Sequence, residues 1–441
     1  MAKKKNTSEP FVEQFAELAL ARKDHEPAWL LALRQDALDV FQATGLPDRK
    51  TEAWKYTNLN KLSKAGFAPA QPLREIDSLP ISILPVEGYR VVFLNGYFQP
   101  ALSLLQSLPE GVIIESLGAA ITREPDLLES QMSHRSPSRD MPLSALNSAF
   151  SEDGLYLRIA PGIKLEQPIH IVSIGQADEE PIAFHMRSYF EIGAGASVDI
   201  LESHVGRDGD TYFSNSVSEI SIEKDARLGH YRLQDESNRA FNIGLANLDL
   251  AQGTFYNGFG LQVGSTLARN EIRARIGGEG IECCINGAYL ASGTQHIDNT
   301  TFVDHAEAGS TSRQTFKGVL DDQAKGVFQG KVLVEPNAQK TDGHQLSRTL
   351  LLSRSAEMDC KPELEIYADD VKCSHGATVG ELEEEAIFYL RTRGIDPVDA
   401  RDMLIEAFIA DVTAEISHQT IREAFDRVVH QWLIDGQEVL T

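Results

Sequence analysis

Between residues 154 and 375 apolar and polar positions alternate in short runs, the period-two signature of strands with a buried face. The runs 155–159, 169–172, 197–201, 228–233, 246–250, 281–285 and 330–334 read this way, with Gly, Asp, Asn and Ser between them. Helical periodicity is nearly absent over the same span.

A longer period overlies the alternation. A small-residue corner followed by a strand recurs at Gly193-Ala194-Gly195-Ala196-Ser197, Lys224-Asp225-Ala226-Arg227-Leu228 and Gln252-Gly253-Thr254-Phe255. It returns at Gly278-Glu279-Gly280-Ile281 and Glu307-Ala308-Gly309-Ser310-Thr311. The spacing, about 26 to 31 residues, is that of solenoid coils. Each coil buries its inward face only by stacking on a neighbour. A β-sandwich would place turns every ~8–12 residues without the longer period. The pattern therefore predicts a mainly β chain with a β-solenoid core over residues 151–375.

The flanks read as helical. In the N-terminal region, residues 1–150, Phe11, Phe15, Leu18 and Leu20 recur near helical period, as do Leu30, Leu33, Ala37 and Val40. Gly45-Leu46-Pro47 ends the second helix. Asn95-Gly96 between two apolar runs predicts a hairpin. Residues 103–150 mix short helices with polar loops around Ser136-Pro137-Ser138, and residues 1–8 read as an unanchored tail.

The C-terminal region, residues 376–441, returns to helical period. A helix over 381–393 starts acidic, carries Arg near its end and stops at Gly394. Asp396 caps the next helix, with Pro397 at its first position. Its apolar stripe is expected from Ala400, Met403, Leu404, Ala407, Phe408, Val412 and Ile416. A last helix over about 419–433 is expected to place Ile421, Phe425, Val428, Val429 and Trp432 inward or at an interface and to stop at Asp435-Gly436. This tail is too small to bury much apolar surface alone. It is expected to lie against the solenoid end, another protein, or both.

Composition narrows the function. The chain of 441 residues has a net charge of −24 and no basic cluster beyond Lys3-Lys4-Lys5, which argues against nucleic acid. No apolar run approaches the ~18 residues of a membrane span, and the basic start has no apolar stretch behind it. Four cysteines (Cys283, Cys284, Cys360 and Cys373) fit a reducing cytosol, so a cytoplasmic location is expected. From Gly376 onward 14 Asp and Glu stand against 5 Arg and no Lys, which suits a solvated surface or a docking face.

Familiar catalytic motifs are missing. No phosphate-cradling loop, dinucleotide fingerprint, His-Glu-x-x-His or Gly-x-Ser-x-Gly occurs. Cys283 and Cys284 are adjacent, so in a strand they face opposite sides. His170, His185, His204, His230, His296 and His305 each read as structural. Glu191, Asp199, Asp249, Asp298 and Asp304 could supply a glycosidase pair, but sequence does not say which approach one another.

One segment differs. In Lys372-Cys373-Ser374-His375-Gly376 a thiol and an imidazole stand two residues apart, hence side by side on one strand face. They are a soft and a borderline metal ligand. Structural zinc and iron–sulfur sites take four ligands, so the pair needs others from elsewhere in the chain or from another protein. The plain alternative is a buried small hydrophobe beside a hydrogen-bonded strand histidine.

The chain resembles the SufB/SufD family, scaffold subunits of the SUF iron–sulfur cluster assembly machinery. The resemblance spans most of its length. It is carried by Gly45-Leu46-Pro47 through Trp54-Lys55-Tyr56-Thr57, Phe93-Leu94-Asn95-Gly96 with Pro100-Ala101-Leu102-Ser103, and Gly326-Val327-Phe328-Gln329-Gly330. Lys340-Thr341-Asp342-Gly343, the stretch from Pro362 to Gly380, and Phe388-Tyr389-Leu390-Arg391-Thr392-Arg393-Gly394-Ile395 complete it. Lys-Cys-Ser-His-Gly follows the SufD branch; the SufB branch has Glu-His-Glu-Ala-Thr there.

The resemblance implies a right-handed parallel β-helix flanked by helical N-terminal and C-terminal regions. It implies a non-enzymatic scaffold that pairs with a SufB-like subunit through the β-helix and with a SufC-like ATPase through the C-terminal helices. Nascent cluster chemistry is implied at the SufB–SufD interface, with His375 and Cys373 as the metal-site candidates. Cys360 has no counterpart in the family pattern and stays outside the site. Reduced flavin is implied for the whole complex, and the sequence locates no site for it. Outside the complex, monomer and homodimer both stay open. Two other readings stand beside this one: a β-helix carbohydrate-active enzyme, and a purely structural SufB-docking subunit.

Overall fold

The computed structural model describes residues 9–72, 79, 83–134, 139–177 and 179–438. The tail expected at 1–8 and the loop at Ser136-Pro137-Ser138 lie outside these residues.

The alternating runs become two facing sheets. One carries Leu155–Ile159, Ile182–Ile192, Tyr212–Ile222, Phe241–Leu250, Leu267–Ile276, His296–His305, Lys325–Val334 and Glu357–Ile366, each parallel to the next. The other carries Tyr89–Leu94, Ile169–Gly175, Ser197–Gly206, Arg227–Asp235, Phe255–Gln262, Glu282–Ala291, Thr311–Leu320, Asp342–Leu351 and Lys372–Gly380. The chain crosses between sheets at every strand, which makes a parallel β-solenoid of about seven turns. Six of the seven predicted runs fall within strands, and the run 281–285 starts one residue before Glu282–Ala291. The coil length varies: Phe241 pairs with Leu267, and Lys325 with Glu357.

The corners show why the repeat is visible in sequence. Gly162, Gly195, Asp225, Gly253, Gly280, Gly309 and Lys340 all have φ between 57° and 76°, where a Cβ is disfavoured. They stack. Each amide donates to a carbonyl of the next coil: Gly195 to Lys224 (2.8 Å), Asp225 to Gln252 (2.9 Å), Gly253 to Glu279 (2.9 Å) and Gly309 to Gln339 (2.9 Å). The corners at Asp225 and Lys340 do without a glycine at the positive-φ position.

Inward residues such as Ile200, Leu228, Ile285, Phe328 and Val332 fill the lumen. The outer faces are covered too. Phe11, Phe15, Phe41, Trp54 and Phe67 pack on the outward Phe213, Phe241 and Ile243 of the first sheet. The Asn95-Gly96 hairpin forms, with φ of 50° and 84°. The helix Ala28–Thr44 ends on Gly45 at φ 68°. Leu20, read as inward, is exposed.

The C-terminal helices are Glu384–Thr392, Pro397–Thr413 and Gln419–Glu438. They lie on the flank of the second sheet rather than at the solenoid end. Outward Leu201, Tyr231, Phe259, Leu261 and Val319 give them an apolar bed. Asp396 caps as predicted, accepting from Val398 N–H at 2.9 Å. The buried stripe is Ala400, Ile405, Ile409, Val412 and Ile416, while Met403 and Ala407 face solvent. The bed runs along the i, i+4 row from Ile405, which the sequence reading placed one residue-row away. The last helix runs through Asp435-Gly436 instead of stopping there. Lys317, buried in the sheet, ties the tail down by donating to the Phe408 carbonyl (2.6 Å) and Asp411 (2.8 Å).

The two ends of the solenoid differ. Antiparallel strands Tyr97–Phe98 and Val112–Ser116 close the N-terminal end. At the other end Glu357–Ile366 and Lys372–Gly380 are terminal strands, each paired on one side only. The boundary expected at residue 375 falls inside Lys372–Gly380, and the first solenoid strand, Tyr89–Leu94, precedes residue 151. No helix among the described residues is long and apolar enough to cross a membrane.

Candidate metal centre at the open rim

Lys372 N–H donates to the Thr341 carbonyl at 2.8 Å and starts the last ladder. The register then sets Cys373 beside Gly343 and His375 beside Gln345. Cys373 packs against the lumenal core. Its Sγ lies 3.5 Å from where a Cβ on Gly343 would stand. Strand alternation puts His375 on the same lumenal face. Cys373 is half-buried and His375 exposed, so the pair stands at the mouth of the lumen, within reach of another molecule. Burial pushes the Cys373 thiol up; the Gly343 N–H opposes this and the Asp342 charge adds to it. A metal that takes this sulfur must therefore displace a proton.

The facing wall is Glu357–Ile366. Cys360 touches Ser347 Oγ at 3.8 Å, and Ser347 is the register partner of Ala377. The offset from Gly343 to Ser347 is four strand residues, so Cys360 sits on the order of 13 Å along the strand from Cys373. The structure does not bring Cys360 to the pair. Among the described residues no three of His, Cys, Asp and Glu gather where they could hold a metal ion.

The outer face of the same strands holds a contact the sequence did not reveal. His344 Nδ1 lies 2.6 Å from Ser374 Oγ, and its Nε2 lies 2.6 Å from Asp342 Oδ1. Ser374, between the two candidate ligands, is thus pinned to the neighbouring strand. A separation of 30 residues in sequence lies between His344 and Ser374.

Most of the remaining candidates are engaged elsewhere. His170 meets Ser203 at 2.8 Å, His204 and His230 flank Glu202, and His305 meets Ser312 at 2.8 Å. His185 meets Asn215, and His296 meets Thr57. Cys283 is buried and Cys284 half-buried, as opposite strand faces require. Among the carboxylates, Asp298 is ion-paired with Arg269, Glu191 accepts from Tyr156, and Asp199 accepts from Tyr231. The cavity beside Trp54, bounded by Met141, Leu143, Ile243, Arg269 and Arg273, measures ≈ 150 Å³. That is below the ~300 Å³ lower end of small-molecule pockets.

Comparison with known proteins agrees with this architecture. Residues 174–408 match the SufBD core domain of SUF-system FeS cluster assembly, and residues 5–171 match the SufBD protein N-terminal region. The chain belongs to the SufBD family. An iron–sulfur cluster assembly SufBD family protein of Synechocystis is 31% identical over 401 residues, covering 89% of this chain and 88% of its own. The iron–sulfur cluster assembly protein SufD of Escherichia coli is 30% identical over 392 residues, covering 88% and 90%. SufD of Bacillus subtilis is 26% identical over 442 residues, covering 97% and 98%. Family membership supports a role in iron–sulfur cluster assembly.

Proposed function

We propose that this chain is a non-catalytic scaffold subunit on which an iron–sulfur cluster is built in the reducing cytosol. His375 is a ligand to the nascent cluster and Cys373 its neighbouring thiol. The cluster is cargo, and a SufB-like subunit docked on the open rim completes the coordination. One observation carries the reading: a thiol and an imidazole share the lumenal face of a one-sided terminal strand, without a third ligand beside them.

The rest of the molecule suits that role. The rim offers two unpaired sheet edges to a partner of like architecture. The helix Glu384–Thr392 buries none of its residues. Its Phe388 and Tyr389 are 68% and 58% exposed. With the acidic surface of the tail, they form the docking face for a SufC-like ATPase. Nucleotide-driven motion of that helix, a few residues from the rim strand, opens or closes the interface.

The test is anaerobic co-expression with SufB-like and SufC-like subunits. His375→Ala is expected to leave the complex intact while iron and sulfide per complex fall severalfold. An unchanged yield reduces His375 to a docking residue and rejects the ligand role.

A further inference from the structure

Directly behind His375 the lumen carries a file of amides. Gln314, Gln345 and His375 are successive register partners on Thr311–Leu320, Asp342–Leu351 and Lys372–Gly380. Gln345 is 3% exposed. Gln314 Oε1 accepts from Thr301 across the lumen at 2.5 Å. The Gln345 carboxamide has no partner at either Nε2 or Oε1. A buried amide left unpaired is costly, so one that persists calls for an explanation.

Its surroundings supply one. Parallel strands run ~4.8 Å apart, so lumenal side chains at paired positions are neighbours. The group beside the Gln345 amide on the open side is therefore the His375 imidazole. On the facing wall position 330 is glycine, and a Cβ there would stand 3.0 Å from Gln345 Nε2, so the missing side chain is what makes space for the amide.

We propose that Gln345 is a positioning residue for His375. Its carboxamide oxygen accepts the inward ring N–H and leaves the other ring nitrogen with its lone pair facing out of the mouth. A neutral imidazole has one donor and one acceptor, so a hydrogen bond to one nitrogen decides which is free to bind metal. Partners of this kind orient histidine ligands in metal sites generally. The inference rests on the reading of His375 as a cluster ligand, but it concerns this chain before any cluster arrives.

The test is ¹⁵N NMR of the full chain labelled at histidine, recorded near pH 8.5, well above the ~6.5 of a free imidazole. The His375 signals are identified by their loss in His375→Gln. Gln345→Met is expected to change the ratio of His375 tautomers on the order of fivefold, the worth of one net hydrogen bond. Gln345→Glu keeps an acceptor and is expected to restore the ratio. A change below about twofold, or one that Gln345→Glu does not restore, overturns the proposal. Should Gln345→Met fail to fold, Gln345→Asn takes its place, since the shorter side chain withdraws the oxygen and should move the ratio likewise. The ligand reading fails separately, when His375→Ala leaves cluster yield unchanged.

Discussion

At the scale of single residues, the candidate site divides into what spacing shows and what register shows. Cys373 and His375 are two apart, and period two puts them on one face before any coordinates exist. Gln345 and His344 sit about one coil away in sequence. Only the stacking of Asp342–Leu351 on Lys372–Gly380 makes them neighbours. Buried charge is likewise invisible in sequence. Glu236 is almost fully enclosed, and burial pushes its carboxyl up to about 7, against hydrogen bonding from Gln234 and the charge of Arg232. Between the ordinary carboxylate range and about pH 7 the folded chain keeps a proton that the unfolded chain has released. Stability from this group is therefore lost as pH rises through that window. In urea titrations, wild type relative to Glu236→Gln is expected to lose about 2–3 kcal/mol between about pH 5 and pH 7. Histidine contributions cancel in that difference. A difference independent of pH would show that Glu236 is ionised in the folded chain.

At the scale of elements, local punctuation was legible and burial direction was not. Gly45, Asn95-Gly96 and Asp396-Pro397 each mark a backbone geometry that few other residues adopt, and each appears where expected. The stripe of Pro397–Thr413 was misplaced because Met403, Ala407, Ile405 and Ile409 are all apolar. Only the sheet beneath decides which of them turns inward. The rim strand makes its own prediction. Lys372 N–H points to its neighbour, so the amides of Cys373, His375 and Ala377 point to the open edge. Ala377→Pro removes an amide that no strand of this chain uses. The variant is expected to fold with a melting temperature near wild type, yet to lose association with a SufB-like subunit in analytical ultracentrifugation. Association at wild-type strength would place the partner elsewhere.

At the scale of the whole molecule, the solenoid was readable because its corners repeat. The stacked positive-φ column from Gly162 to Lys340 forces small or special residues at nearly every turn. The site of the tail was not readable. Its apolar bed is assembled from outward residues of five strands, none of which announces that face alone. The same fold explains why the site is incomplete. The solenoid is closed at one end and open at the other, and the two candidate ligands stand on the open coil, where the proposed partner would dock. Pulsed EPR of the reduced three-subunit complex, with ¹⁵N-histidine in this chain only, tests that claim most directly. Wild type is expected to show the nitrogen coupling of an iron-bound imidazole, and His375→Ala to lose it. Coupling that survives the substitution, or that never appears in wild type, would contradict the claim.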